Sequence, residues 1–159
     1  METIITAQND NRNNAEIKII LVGDSGVGKS ALLDQFRGPN SNDTQPTVCM
    51  RCYEIYKKVA VQIRFIDPFH ETFSEEKESL TLISQADGVI LIYDITNESS
   101  FASITDWMAM LKRACSSLFV ETMIIVNKSD LEGQRVVSKE RGQGMSSQLG
   151  ALAFREDVT

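Results

Sequence analysis

Gly23-Asp24-Ser25-Gly26-Val27-Gly28-Lys29-Ser30 fits the pattern G-x-x-x-x-G-K-[ST]. The glycines let the backbone turn tightly and aim successive N–H groups at an anion. Lysine adds a positive charge, which suits β and γ phosphates, and the Ser30 hydroxyl is a ligand for Mg²⁺. The flanks agree with this reading. Residues 16–22 (E-I-K-I-I-L-V) form a short apolar run, as a buried parallel strand does. Leu32, Leu33 and Phe36 follow at helical spacing, so the loop feeds the N-terminus of a helix, whose dipole favours an anion.

The rest of the chain continues that alternation. Residues 38–47 are rich in Gly, Pro, Asn and Ser and predict a loop. Residues 51–56 and 59–66 predict two paired strands, the second alternating through Val59, Val61, Ile63 and Phe65. A helix is expected over 74–85, with Ser74 as its cap and Glu75 and Glu76 at the positive end of its dipole. A buried strand is expected over 88–93 and a helix over 101–114, with Ile104, Trp107, Met108 and Leu111 on its apolar side. Aromatics at that spacing belong to the core, so Trp107 is expected there rather than on a ligand. A strand over 123–126, a helix over 138–149 weakened by Gly142 and Gly144, and a strand over 151–154 complete the series. The pattern is α/β: a mostly parallel sheet with helices on both faces and no internal repeat.

The chain has 159 residues, one domain's worth. Its net charge of −6 argues against nucleic-acid binding, which calls for a basic face. Cys49, Cys52 and Cys115 are an odd set outside any secretory context and read as reduced thiols of a cytoplasmic protein. The Cys49–Cys52 C-x-x-C has no second pair to complete a metal site, and small strand residues are the simpler account. No apolar run reaches membrane-spanning length, and residues 1–15 predict a flexible polar tail ahead of one domain over 16–159. The sequence shows no prenylation cysteine, so no lipid anchor of its own is expected.

A phosphate loop alone leaves several nucleotide-using classes open. Asn127-Lys128-Ser129-Asp130 separates them. It follows a buried strand, as N-K-x-D does in GTPases. An Asp carboxylate accepts from guanine N1–H and the 2-amino group, neither of which adenine offers, so adenine leaves buried partners unpaired. The lysine stem packs on a base and the asparagine bonds its edge. With Tyr93-Asp94-Ile95-Thr96-Asn97-Glu98-Ser99-Ser100-Phe101 and Trp107, the sequence resembles the Ras superfamily of small GTPases, its Rab branch in particular, over about residues 16–156.

The resemblance implies the P-loop small GTPase fold: six strands in the order 2-3-1-4-5-6, nucleotide at their carboxyl ends. It implies GTP/GDP as ligand with Mg²⁺, switch loops that order around the γ-phosphate, and a place in vesicle traffic. Asp24, Ser25, Gly26, Val27, Gly28, Lys29 and Ser30 then line the phosphates, and Asn127, Lys128 and Asp130 hold guanine. Ser30, Thr47 and Asp67 face Mg²⁺, Asp67 through water, with Lys29 and Thr47 acting on the reacting phosphate. Thr44 competes with Thr47, because the first switch is one residue shorter than a typical Rab's. Only Asn40 or Ser41 stands where an aromatic of that loop leans on the base.

Two further segments depart from the family. Its D-T-A-G-Q-E reads here Asp67-Pro68-Phe69-His70-Glu71-Thr72-Phe73. Asp67 survives, but the γ-sensing glycine and the water-orienting glutamine do not, so weak hydrolysis is expected. His70 or Glu71 falls nearest the glutamine position, and exposed loop residues are the simpler reading of both. The family's E-T-S-A-K stands as Glu156-Asp157-Val158-Thr159, without a further helix. An apolar sheet face is therefore expected to meet an effector, an exchange factor or a second domain. A slow GTP/GDP switch is one expectation and a non-catalytic nucleotide-binding scaffold is the other. An ATP-using enzyme requires N-K-x-D to be accidental.

Overall fold

The computed structural model describes residues 15–37, 48–55, 59–69, 76–114 and 120–156. Expectations placed on the 1–14 tail, Asn40, Ser41, Thr44, Thr47, His70, Glu71, Ser74, Cys115 and residues 157–159, and on the side chains of Cys49 and Cys52, lie outside them.

The elements run β1 (Ala15–Val22), α1 (Lys29–Arg37), β2 (Val48–Ile55), β3 (Val59–Ile66), α2 (Glu76–Ser84), β4 (Gly88–Asp94), α3 (Glu98–Ala114), β5 (Glu121–Asn127), α4 (Lys139–Leu149) and β6 (Ala153–Glu156). The sheet has six strands in the order β2-β3-β1-β4-β5-β6. Only β2, paired to β3, runs antiparallel. The order reverses at β1, which lies between β3 and β4 and is where such sheets open a crevice.

Alternation along each strand sorts the core into two layers. Ile20, Val22, Ile66, Val89, Leu91, Tyr93, Ile124 and Val126 face α2, α3 and α4, where they meet Ile83, Phe101, Ile104, Met108 and Leu111. Leu21, Phe65, Ile90, Ile92 and Ile125 face the other way, onto Leu32 and Leu33 of α1. Phe36 stacks on Phe65 with ring centroids 4.3 Å apart. On this second face Ile17 is exposed and Ile19, Ile63 and Met123 are half-buried.

Helix α3 starts three residues earlier than periodicity predicts, because Asn97 caps it. The Asn97 Oδ1 accepts from the Ser100 N–H at 3.1 Å. A 3-10 turn over Ser129–Gln134, absent from the sequence reading, follows the Asn127-Lys128 pair.

Gly142 and Gly144 of α4 have different reasons to be glycine. A Cβ on Gly142 would stand 2.5 Å from the Tyr93 hydroxyl oxygen and 2.7 Å from Phe154 Cζ, on side chains of β4 and β6, whereas nothing lies within 4 Å of one on Gly144. Substitution to alanine therefore separates the two. Gly144→Ala raises stability by up to about 1 kcal/mol through helix propensity. Gly142→Ala lowers it by about 1–2 kcal/mol, because overpacking exceeds the same gain. Urea unfolding of the two variants gives shifts of opposite sign.

Candidate functional site

Parallel pairing carries the ends of five strands to one edge. Ile20 pairs with Ile66, Val22 with Leu91, Asp94 with Asn127 and Val126 with Glu156. The phosphate loop, Asp67, Asp94, the Asn127-Lys128-Ser129-Asp130 segment and Glu156 therefore share the carboxyl side of the sheet.

The loop after β1 turns through Gly26 at φ 80° and Gly28 at φ 100°, a left-handed backbone that favours glycine. Lys29 curls back over it, its Nζ donating to the carbonyls of Gly23 at 2.8 Å and Asp24 at 3.0 Å. A cation thus stands inside a ring of backbone at a helix N-terminus, which suits a phosphate chain.

Asn127 joins this loop to the Lys128-Ser129-Asp130 segment. Its Nδ2 donates to the Val27 carbonyl at 2.8 Å, and its Oδ1 accepts from the Lys128 N–H at 2.8 Å. Contact is so close that a Cβ on Gly28 would come within 2.1 Å of Asn127 Nδ2. Lys128 adopts φ 62°, alone among the described non-glycine residues in the left-handed region, and its Nζ pairs with Asp94 Oδ2 at 2.7 Å. Asp94, 5% exposed, also accepts at Oδ1 from the N–H and the hydroxyl of Thr96 at 2.8 and 2.7 Å. Asp130 is exposed in the 3-10 turn. Below the turn, Arg135 donates to both oxygens of Glu132, to the Val137 carbonyl and to Glu156, so it ties the turn to the end of β6.

Burial pushes the Asp94 carboxyl up, but hydrogen bonds from Lys128 and Thr96 outweigh it and hold the group below the usual carboxylate range. A lowered folded-state value means the unfolded chain takes up the proton first. The pair's contribution is therefore complete above the unfolded value of about 3.9 and is lost as pH falls through the lower folded one. In urea titrations from about pH 5 down to about pH 3, Asp94→Asn should flatten part of the acid loss of stability.

Ser30 is exposed in the first turn of α1, and Asp67, at the end of neighbouring β3, is 2% exposed with Oδ1 accepting from the Phe69 N–H at 3.1 Å. A hydroxyl at the start of α1 and a carboxylate just after β3 are hard oxygen donors, the kind that suits Mg²⁺. The residues present therefore fit the ion.

Trp107 lies against the core as its spacing predicts, with one polar contact added. It packs at the margin of the core but is only partly buried. Its Nε1 donates to Asp24 Oδ1 at 2.8 Å. Periodicity cannot show this bond, since it depends on an indole N–H at the edge of the apolar stripe. Asp94 as partner of Lys128, and Arg135, were likewise not foreseen. For Asp94 the available signal is an acid at the end of a buried apolar strand.

A glycine loop between β1 and α1, bridged by Asn127 to the segment after β5, is the architecture of a P-loop nucleotide-binding protein. Comparison with known proteins narrows the class. The Ras family pattern matches residues 18–158. The chain is 34% identical over 146 residues to the Ras-related protein Rab-13 of Bos taurus, covering 86% of this chain and 68% of that protein. It is 37% identical over 142 residues to the Ras-related protein Rab-8B of Homo sapiens, covering 84% and 65%. It is 38% identical over 143 residues to the GTP-binding protein yptV2 of Volvox carteri, covering 86% and 64%. The chain belongs to the Ras family and is a Rab-like small GTPase domain. It spans about two thirds of the length of these relatives.

Proposed function

We propose that this domain binds GTP and GDP with Mg²⁺, switches conformation between them, hydrolyses GTP slowly, and serves vesicle traffic through effectors and exchange factors. The bond from Asn127 Nδ2 to the Val27 carbonyl carries the reading, because it fixes the base-reading segment against the phosphate loop. Lys29 neutralises the β and γ phosphates. The loop N–H groups from Asp24 to Ser30 bind the phosphate oxygens. Ser30 and Asp67, with Thr47 from the first switch, would hold Mg²⁺, which would supply positive charge beside the β and γ phosphates. Asp130 accepts from guanine, and Asn127 and Lys128 place it. Among the described residues no helix is long and apolar enough to cross a membrane. Attachment to vesicles through partners is part of the proposal.

Slow hydrolysis follows from the segment Asp67-Pro68-Phe69-His70-Glu71, which keeps the family's aspartate but neither its γ-sensing glycine nor its water-orienting glutamine. Intrinsic turnover is expected below about 10⁻⁴ s⁻¹, under the unassisted rate of a glutamine-bearing relative. The test is competition of GTP, GDP and ATP for the purified domain, followed by single-turnover release of phosphate from labelled GTP. Slow release that Ser30→Asn abolishes supports a handicapped switch. Firm guanine-nucleotide binding with no release above buffer makes the nucleotide a ligand rather than a substrate. Equal competition by ATP sinks the assignment.

A further inference from the structure

Phe69 is a large apolar side chain left 38% exposed directly after Asp67-Pro68. Its ring lies on Trp107 of α3, the centroids 5.0 Å apart and the planes tilted by 52°. The same indole donates Nε1–H to Asp24 Oδ1 at 2.8 Å, and Ser103, one turn earlier, donates to Asp24 Oδ2 at 2.8 Å. Both oxygens of an anionic side chain in the phosphate loop are thereby held on α3. Without those donors the carboxylate is free to swing toward bound phosphates and repel them. On the other side, the Phe69 N–H caps Asp67 Oδ1 at 3.1 Å, and the Ser79 hydroxyl of α2 donates to the Pro68 carbonyl at 2.6 Å. One indole therefore touches both the loop that carries Lys29 and the turn that carries Asp67.

We propose that Trp107 is a positioning residue that holds the Asp24 carboxylate away from the phosphates and the Asp67–Phe69 turn against α3, in the GDP and GTP states alike. The inference rests on the GTP-binding reading. It deepens that reading by making the start of the second switch insensitive to the γ-phosphate. A small residue at position 69 leaves this turn free to follow the nucleotide, whereas an aromatic one seated on Trp107 resists displacement, since moving it exposes both rings.

Trp107 is the chain's single tryptophan, so its emission reports the contact directly. An open cavity of about 370 Å³ lined by Asp24, Ser103, Asp106, Trp107, Met110 and Arg113 lies beside the indole, which leaves one edge reachable by acrylamide. The native domain is loaded with GDP or the non-hydrolysable analogue GppNHp, with loading checked by chromatography of the released nucleotide. Emission maximum and acrylamide quenching are expected to be the same in both states. In Phe69→Ala quenching rises, and the two states become distinguishable. Trp107→Phe, which keeps a ring for Phe69 but loses the N–H, is expected to speed GDP release about tenfold, the size of one charge-assisted hydrogen bond. Asp24→Asn in the same background recovers most of that loss, which a merely structural role of the indole does not predict. A native emission that shifts on exchange to GppNHp overturns the proposal, as does unchanged GDP release in folded Trp107→Phe. If the domain retains no nucleotide, the GTP-binding reading fails by itself. Quenching in Phe69→Ala then still decides the Phe69–Trp107 contact, and an unchanged value overturns it.

Discussion

Lys29→Ala is expected to weaken GTP and GDP binding by about two to four orders of magnitude, the largest single loss in the phosphate half of the site. The ammonium stands over the loop, hydrogen-bonded to the carbonyls of Gly23 at 2.8 Å and Asp24 at 3.0 Å. In its proposed role it exchanges those neutral acceptors for phosphate oxygens on nucleotide binding, and each hydrogen bond to a charged group is worth about 1.5–3 kcal/mol. Two such bonds account for the range. The substitution also removes a brace of the loop, but the core beneath does not rest on it: Val22, Val27, Leu32 and Leu33 are buried in clusters of apolar side chains. Titration with a fluorescent GDP derivative reads the affinity and thermal unfolding without nucleotide reads the fold. Affinity within a few-fold of the native domain, at equal stability, would falsify the role given to Lys29. Both nucleotides and ATP should suffer alike, because the role proposed for the lysine is toward phosphates and not the base.

The sheet was largely legible in the sequence because its strands are apolar and short and the glycine loop fixes the order strand, loop, helix at one point. From Gly23 to Ser30 outward, periodicity placed each element within a few residues. What it missed has a common cause. Helix α3 begins at Glu98 rather than Phe101 because a polar cap, Asn97, starts it before its apolar stripe does. The 3-10 turn over Ser129–Gln134 has no buried residue and so no hydrophobic pattern to find. The side-chain bonds that shape the site join positions far apart in sequence: Asn127 to Val27, Trp107 to Asp24, Arg135 to Glu156. Motif reading assigns such residues one at a time and cannot see that Asn127 bridges to Val27 or that Lys128 is paired with Asp94. Gly142 shows the reverse error. By propensity it is a weakness of α4, yet the space beside Tyr93 and Phe154 admits nothing larger.

Those bridges bear on specificity, where the second large effect is expected. Asp130→Ala should cut the preference for GTP over ATP by about two to three orders of magnitude. A site built to accept hydrogen bonds from a base rejects an analogue that cannot donate them by about 10⁴–10⁵. Most of that discrimination belongs to the carboxylate that receives guanine N1–H and the 2-amino group. Asp130 is exposed in the 3-10 turn, so its geometry comes from the backbone beneath it. The Leu131 N–H donates to the Lys128 carbonyl at 2.9 Å, Lys128 is pinned to Asp94 at 2.7 Å, and Asn127 is pinned to Val27 at 2.8 Å. Substitution at Asp130 disturbs none of these, so the phosphate half keeps its shape and ATP affinity should stay nearly constant while GTP affinity falls. Lys29→Ala predicts the opposite pattern, a loss for every nucleotide at an unchanged GTP:ATP ratio. Measuring both ratios by competition separates base reading from phosphate binding within one protein. If Asp130→Ala leaves the ratio intact, guanine is read elsewhere on the carboxyl edge of the sheet, and the assignment of Asn127-Lys128-Ser129-Asp130 falls with it.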